Sequence, residues 1–96
     1  MPVLSGAEVD ERLKGLAGWS RHGDEIRKEY KFRNFVEAMA FVNTVAQAAE
    51  AADHHPDITI NYNRVTMALS THSEGGVTDK DLDMAPKIDA SRSGAA

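Results

Sequence analysis

No cysteine occurs in the 96 residues, so neither a disulfide frame nor a thiolate metal site is available, and the redox compartment leaves no mark. Excess positive charge is also lacking. The formal net charge is −4, and the 11 Lys and Arg are scattered among 15 Asp and Glu, which disfavours nucleic acid, since phosphate binding relies on clustered cations. No apolar run approaches the ~18 residues that span a bilayer, and the first six residues carry no basic patch leading into an apolar stretch. Neither a membrane partner nor a secretory leader is expected, and the protein is expected to be soluble and cytoplasmic. Solenoid-length repeats are absent too.

What is present reads as a single domain over residues 1–96. A hydrophobic content of 42% lies far from disordered compositions. A chain this short buries roughly two thirds of its unfolded surface, so contacts with a second copy would help, and a homo-oligomer is expected.

Ser5 and Glu8 form a capping-box pattern ahead of Val9, Leu13 and Leu16, which predicts a short amphipathic helix. Trp19 follows Gly18 and is read as a plug at the end of the core. Residues 25–33 alternate strictly. Ile26, Lys28, Tyr30 and Phe32 share one face and Arg27, Glu29, Lys31 and Arg33 the other, a strand with one wet side. A further strand is placed near residues 19–23, pairing with it. Asn34 is a candidate N-cap with Glu37 three residues on. It opens a helix of about 20 residues whose apolar positions include Phe35, Met39, Val42, Ala46 and Ala49. Val36, Ala40, Phe41, Val45 and Ala48 make the other faces apolar as well, more than the ~100° stripe a surface helix needs.

After Pro56, Ile58, Ile60 and Tyr62 alternate with polar residues, as do Val65, Met67 and Leu69, so two strands are expected with Asn63 and Arg64 at the turn. His72 then falls on the Ser70 side, away from the core face. Residues 73–76 read as a flexible loop. Thr78 to Asp81 spacing opens a third helix with Leu82, Ala85 and Ile88 inward; Pro86 implies that it is short or bent, and a frayed tail is expected from Asp89. The fold class is α+β, an antiparallel sheet with helices packed on one face.

The chemistry concentrates where the long helix stops, at Glu50, Asp53, His54, His55 and Pro56. Glu50 and His54 are one turn apart, so their side chains should meet. That carboxylate and the negative end of the helix dipole both favour a charged imidazole, the property of a general acid. His55 points a second imidazole another way. A zinc set from His54, His55 and His72 with Glu50, Asp53 or Asp57 has enough donors, but the spacings match no familiar zinc pattern, and no metal is expected. Asp81 has a structural reading as the third residue of the helix begun after Thr78.

Glu50, His54, His55 and Pro56, followed by Tyr62, His72 and Asp81 at their intervals, resemble the signature of the pterin-4a-carbinolamine dehydratases, the 4a-hydroxytetrahydrobiopterin dehydratases. The similarity extends to Gly18 with Trp19, the helix between Phe32 and Ala49, Ser70 and Thr71 before His72, and Thr78 before Asp81, covering most of residues 5–88. The resemblance implies a four-stranded antiparallel sheet with helices on one side, a homodimer or homotetramer, and no metal or organic cofactor. It also implies dehydration of a 4a-hydroxytetrahydropterin in the recycling that follows aromatic amino acid hydroxylation, with an aromatic amino acid hydroxylase as a neighbouring enzyme. His54, His55 and His72 would be catalytic, and Glu50 and Asp81 supporting. Asp53, Ser70, Thr71 and Ser73 would join the three histidines in holding the pterin. In the assignment that follows, His54 is the acid, oriented by Glu50, and His72 the base, with the two labels exchangeable. Ile58 stands where animal members carry tryptophan. The competing expectation is a non-catalytic dimerisation or regulatory module of the same fold.

Overall fold

The computed structural model describes residues 2–95. Helix α1 (Gly6–Leu13) begins at Ser5, whose Oγ accepts from the Glu8 N–H at 3.1 Å while the Glu8 carboxylate accepts from the Ser5 N–H at 3.0 Å. Both arms of the capping box are therefore present. The helix stops at Leu13, so Leu16 packs on the core from the following turn and not from the helix. Strand β1 (Ser20–His22) pairs antiparallel with β2 (Glu25–Lys31), and β3 (Asp57–Asn61) with β4 (Arg64–Leu69); the sheet order is β1-β2-β4-β3. The β2–β4 pairing, also antiparallel, joins the two hairpins and sets Tyr30 against Val65 and Ile26 against Leu69.

One face of the sheet is apolar because its strands alternate. Ile26 and Tyr30 of β2 and Val65, Met67 and Leu69 of β4 are buried, and α2 (Phe35–Ala52) and α3 (Asp79–Ala95) pack over them. The α+β class with helices on one face is thus the observed one. Among the described residues, no helix is long and apolar enough to cross a membrane.

Three local expectations are corrected. The hairpin turn is Tyr62-Asn63, one residue earlier than the pattern suggested, since Asn61 pairs with Arg64. Asn63 is held by the end of β2: its side-chain amide donates to the Phe32 carbonyl at 2.9 Å and its carbonyl accepts from the Phe32 N–H at 2.8 Å. The left-handed backbone position therefore falls on Tyr62, at φ 52. In α2 the buried stripe is Ala38, Phe41, Val45 and Ala49, with Phe41 stacked on Tyr30 and Phe32 at 4.7 and 5.0 Å. Phe35 and Val36 are exposed, Val36 at 75%; with every face apolar, periodicity alone does not choose the inner one.

The third correction concerns the tail. Instead of fraying from Asp89, α3 runs through Pro86 to Ala95. Its anchors are polar. The Asp89 carboxylate accepts from Trp19 Nε1 at 3.3 Å, Lys28 Nζ at 2.9 Å and Tyr30 Oη at 2.5 Å, and Arg92 lies over the Phe32 ring while donating to the Lys31 carbonyl. Lys28 reaches Asp89 across Gly18, where a Cβ would stand 2.8 Å from the lysine stem. Apolar periodicity carries no trace of such a clasp.

Candidate active site

The site is built where α2 ends. Ala52 is the last helical residue and Asp53 takes a left-handed conformation, φ 50 and ψ 42. Its N–H returns to the Glu50 carbonyl and that of His54 to the Ala49 carbonyl, the pair of bonds that usually closes a helix on glycine. Aspartate tolerates this region better than most residues but still at a cost of about 1 kcal/mol. Pro56, two residues beyond His54, prevents the helix from resuming. The reversal sends the two adjacent imidazoles in different directions.

His54 turns inward. Its side chain is 12% exposed and its Nε2 lies 2.5 Å from Asp81 Oδ1. Asp81 is fully buried as the third residue of α3, and its other oxygen accepts from the Thr78 N–H and the Thr71 hydroxyl, both at 2.9 Å. Thr78 Oγ1 is 2.7 Å from Thr71 Oγ1 and accepts from the Lys80 N–H. If Thr71 donates to Asp81, Thr78 donates to Thr71, and every polar atom in the cluster is satisfied. The cap reading of Asp81 and its supporting place behind an imidazole are therefore one arrangement.

His55 turns outward and pairs with Glu50. This corrects the expected Glu50–His54 contact. An i,i+4 pair needs a continuous helix, and the chain has already left the helix at Asp53, which swings His54 to α3 and brings His55 over Glu50. His72 is exposed, as the strand alternation placed it, with Nε2 4.0 Å from Asp57 Oδ2. Its loop is folded into hydrogen-bonded turns: the Thr71 carbonyl accepts from the N–H groups of Glu74 and Gly75, and Thr71 pairs with Gly76. Gly75 sits at φ 80, and a Cβ on Gly76 would come within 2.8 Å of Val3, so glycine serves the turn at both positions.

These residues enclose a cleft of about 260 Å³, lined by Asp53, His54, His55, Ser70, Thr71, His72, Ser73 and Lys80. The structure thus brings together all seven residues expected to hold a ligand and adds Lys80, which sequence reasoning missed. The Thr78 to Asp81 pattern already placed Lys80 in the first turn of α3, one residue before Asp81. Glu50 and Asp81 stand behind the cleft's imidazoles and do not border it. Depressions of about 380 Å³ beside α1 and about 350 Å³ on the open sheet face have no imidazole on their walls. No three His, Asp or Glu side chains converge as a metal site among the described residues.

One regularity joins the three imidazoles. In each, Nε2 faces the carboxylate, and no hydrogen bond engages Nδ1 within the described residues. For His54 and His55, whose Nε2 atoms are within hydrogen-bond reach of a carboxylate, the neutral tautomer this favours has the proton on Nε2 and a free lone pair on Nδ1; a charged imidazole offers an Nδ1–H. The cleft can therefore both give and take a proton.

The model of the family described as pterin 4 alpha carbinolamine dehydratase matches residues 2–91. The chain belongs to that family. Similar members include proteins named "Putative pterin-4-alpha-carbinolamine dehydratase" from Roseiflexus castenholzii, 54% identical over 87 residues covering 91% of this chain and 94% of that one, and from Metallosphaera sedula, 49% identical over 89 residues covering 93% of each. Among solved structures, the transcriptional coactivator/pterin dehydratase from Brucella melitensis superposes with a TM-score of 0.88 at 40% identity, over 94% of this chain and 98% of that one. A pterin dehydratase-like protein described as a RuBisCO assembly factor in the alpha-carboxysome shares the fold, with a TM-score of 0.65 at 19% identity over 77% of this chain and 86% of that one.

Proposed function

We propose that the protein dehydrates a 4a-hydroxytetrahydropterin to the quinonoid dihydropterin. The observation that carries this reading is the convergence of three imidazoles, each facing a carboxylate, on one small cleft in a chain of this family. The reaction breaks the C4a–O bond and the N5–H bond. The N5 electron pair forms the C4a=N5 double bond, and the departing hydroxyl takes a proton and leaves as water. Such an elimination needs one acid and one base near neutral pH, which histidines supply.

His54 is assigned as the acid. Asp81, and not Glu50, holds its Nε2–H and so directs Nδ1–H to the hydroxyl. His72 takes the N5 proton, and His55 with Asp53 and the strand end at Ser70 to Ser73 holds the pyrimidine side, whose donors and acceptors need fixed partners. The cleft volume lies just below the ~300–1,000 Å³ of sites that enclose a drug-sized ligand, which suits a bicyclic ring with its substituent left outside. No metal or organic cofactor takes part in this scheme. Homo-oligomerisation, a cytoplasmic location and a role in tetrahydrobiopterin recycling beside an aromatic amino acid hydroxylase belong to the same proposal.

The test is the ultraviolet absorbance decay of a 4a-hydroxytetrahydropterin. The wild-type protein is expected to accelerate it, and His54→Ala and His72→Ala each to lose about 10²-fold or more of the catalysed rate, the scale of a general acid or base. Wild-type rates in both variants and in His55→Ala would remove the assignment. A second reading, a non-catalytic dimerisation or regulatory module, draws on the exposed Phe35, Val36, Ile60 and Tyr62; it gains if the wild-type protein leaves the decay unchanged.

A further inference from the structure

Of the three imidazoles, His54 and His55 have carboxylates within hydrogen-bond reach, Asp81 and Glu50. The third, His72, has Asp57 at 4.0 Å. Topology produces this approach. Asp57 is the first residue of β3 and pairs with Ala68 of β4, so it stands beside the point where β4 runs out through Ser70 toward His72. Pro56 before it fixes the chain's entry into the strand. Arg27 borders the same depression on the sheet face as Asp57, but Arg27 is paired with Glu25. The Asp57 carboxylate has His72 as its ion-pair partner among the described residues.

We propose that Asp57 is a positioning residue for His72: it holds Nε2 and leaves Nδ1 as the atom that takes the N5 proton. The inference rests on the reading of the cleft as a dehydration site. A separation of 4.0 Å is too long for a hydrogen bond, yet catalytic contacts are commonly long before substrate arrives and tighten in the complex. A pterin seated in the cleft would also exclude water from the pair and strengthen it. The assignment gives all three imidazoles the same Nε2–carboxylate arrangement.

The test is a double-mutant cycle with Asp57→Ala and His72→Ala, together with NMR of the His72 ring nitrogens. Asp57→Ala is expected to lower kcat about threefold to fivefold, the scale of an exposed ion pair, with KM within about twofold. In the His72→Ala background it should cost nothing further. Asp57→Glu, which keeps a carboxylate in reach, should retain at least half of the wild-type kcat. Equal losses in both backgrounds, or a rise in KM at unchanged kcat, would overturn the proposal. The NMR measurement needs no turnover: the carboxylate 4.0 Å from Nε2 biases neutral His72 electrostatically toward the Nε2–H tautomer, and the Nε2–H share should fall in Asp57→Ala. Unchanged ring nitrogens would show that Asp57 does not hold the imidazole. If the wild-type protein fails to dehydrate the pterin, the function falls, while the ring nitrogens still decide the contact.

Discussion

Asp81 and Asp89 lie on the same helix just over two turns apart, and each gathers three donors. Asp81 takes His54 Nε2, the Thr71 hydroxyl and the Thr78 N–H; Asp89 takes Trp19 Nε1, Lys28 Nζ and Tyr30 Oη. Two of the Asp81 partners, His54 and Thr71, border the cleft. The Asp89 partners come from β2 and the turn before β1, and tie the far end of α3 to the sheet. Asp81 is fully buried, whereas the Asp89 side chain is 31% exposed and has a lysine as counter-ion. The two carboxylates thus gather equal numbers of donors, and what separates them is that two of the Asp81 partners also line the cleft.

The largest effect that separates the two is expected at Asp81. Asp81→Ala leaves two buried donors and an imidazole without an acceptor and should lower unfolding stability by roughly 3–5 kcal/mol, with pterin dehydration reduced about 10²-fold or more. Urea unfolding and initial rates check both. Asp81→Asn, which keeps the shape, should recover much of the stability but little of the rate. Asp89→Ala is expected to cost about 2–3 kcal/mol, discounted for the partial exposure of the group, while the rate stays within about threefold wherever the protein is folded. A large loss of rate in folded Asp89→Ala would erase the distinction between the two ends of α3.

Tyr30 extends the comparison to pH. Burial first, and then the hydrogen bond to the Asp89 carboxylate, hold its phenol well above the ordinary value of 10.0. The neutral phenol is the form the fold keeps, so its contribution is complete below about pH 10 and is lost as pH climbs toward the raised folded value. Tyr30→Phe should cost about 1–2 kcal/mol at neutral pH and remove part of the fall in thermal midpoint above pH 10. The smallest effect is expected at Asp53, where glycine accepts the left-handed backbone without strain: Asp53→Gly should stabilise the fold by about 0.5–1 kcal/mol in urea unfolding.

The same two carboxylates show what a sequence can and cannot disclose. Asp81 was visible because its cap is local, three residues from Thr78, and because the spacing from His54 through His72 to Asp81 resembles the family's signature. Its pairing with His54 across 27 residues was not visible, and the nearer Glu50 was the natural partner until the left-handed turn at Asp53 removed it. Asp89 was invisible for the same reason in stronger form: its donors lie 70, 61 and 59 residues away, and a polar clasp leaves no apolar period. The strands were legible from alternation at Ile26 and Tyr30 and at Val65, Met67 and Leu69, whose burial is a local consequence of the pleat. The turn slipped by one residue because Asn63 answers to Phe32, a contact no hairpin rule contains.

The most direct test is the initial rate of 4a-hydroxytetrahydropterin decay with wild type, Asp81→Asn and Asp89→Asn at equal folded concentration. Acceleration by the wild type, its near-complete loss in Asp81→Asn and its retention within about threefold in Asp89→Asn are the predicted results. No acceleration by the wild type, or undiminished acceleration by Asp81→Asn, would contradict the account.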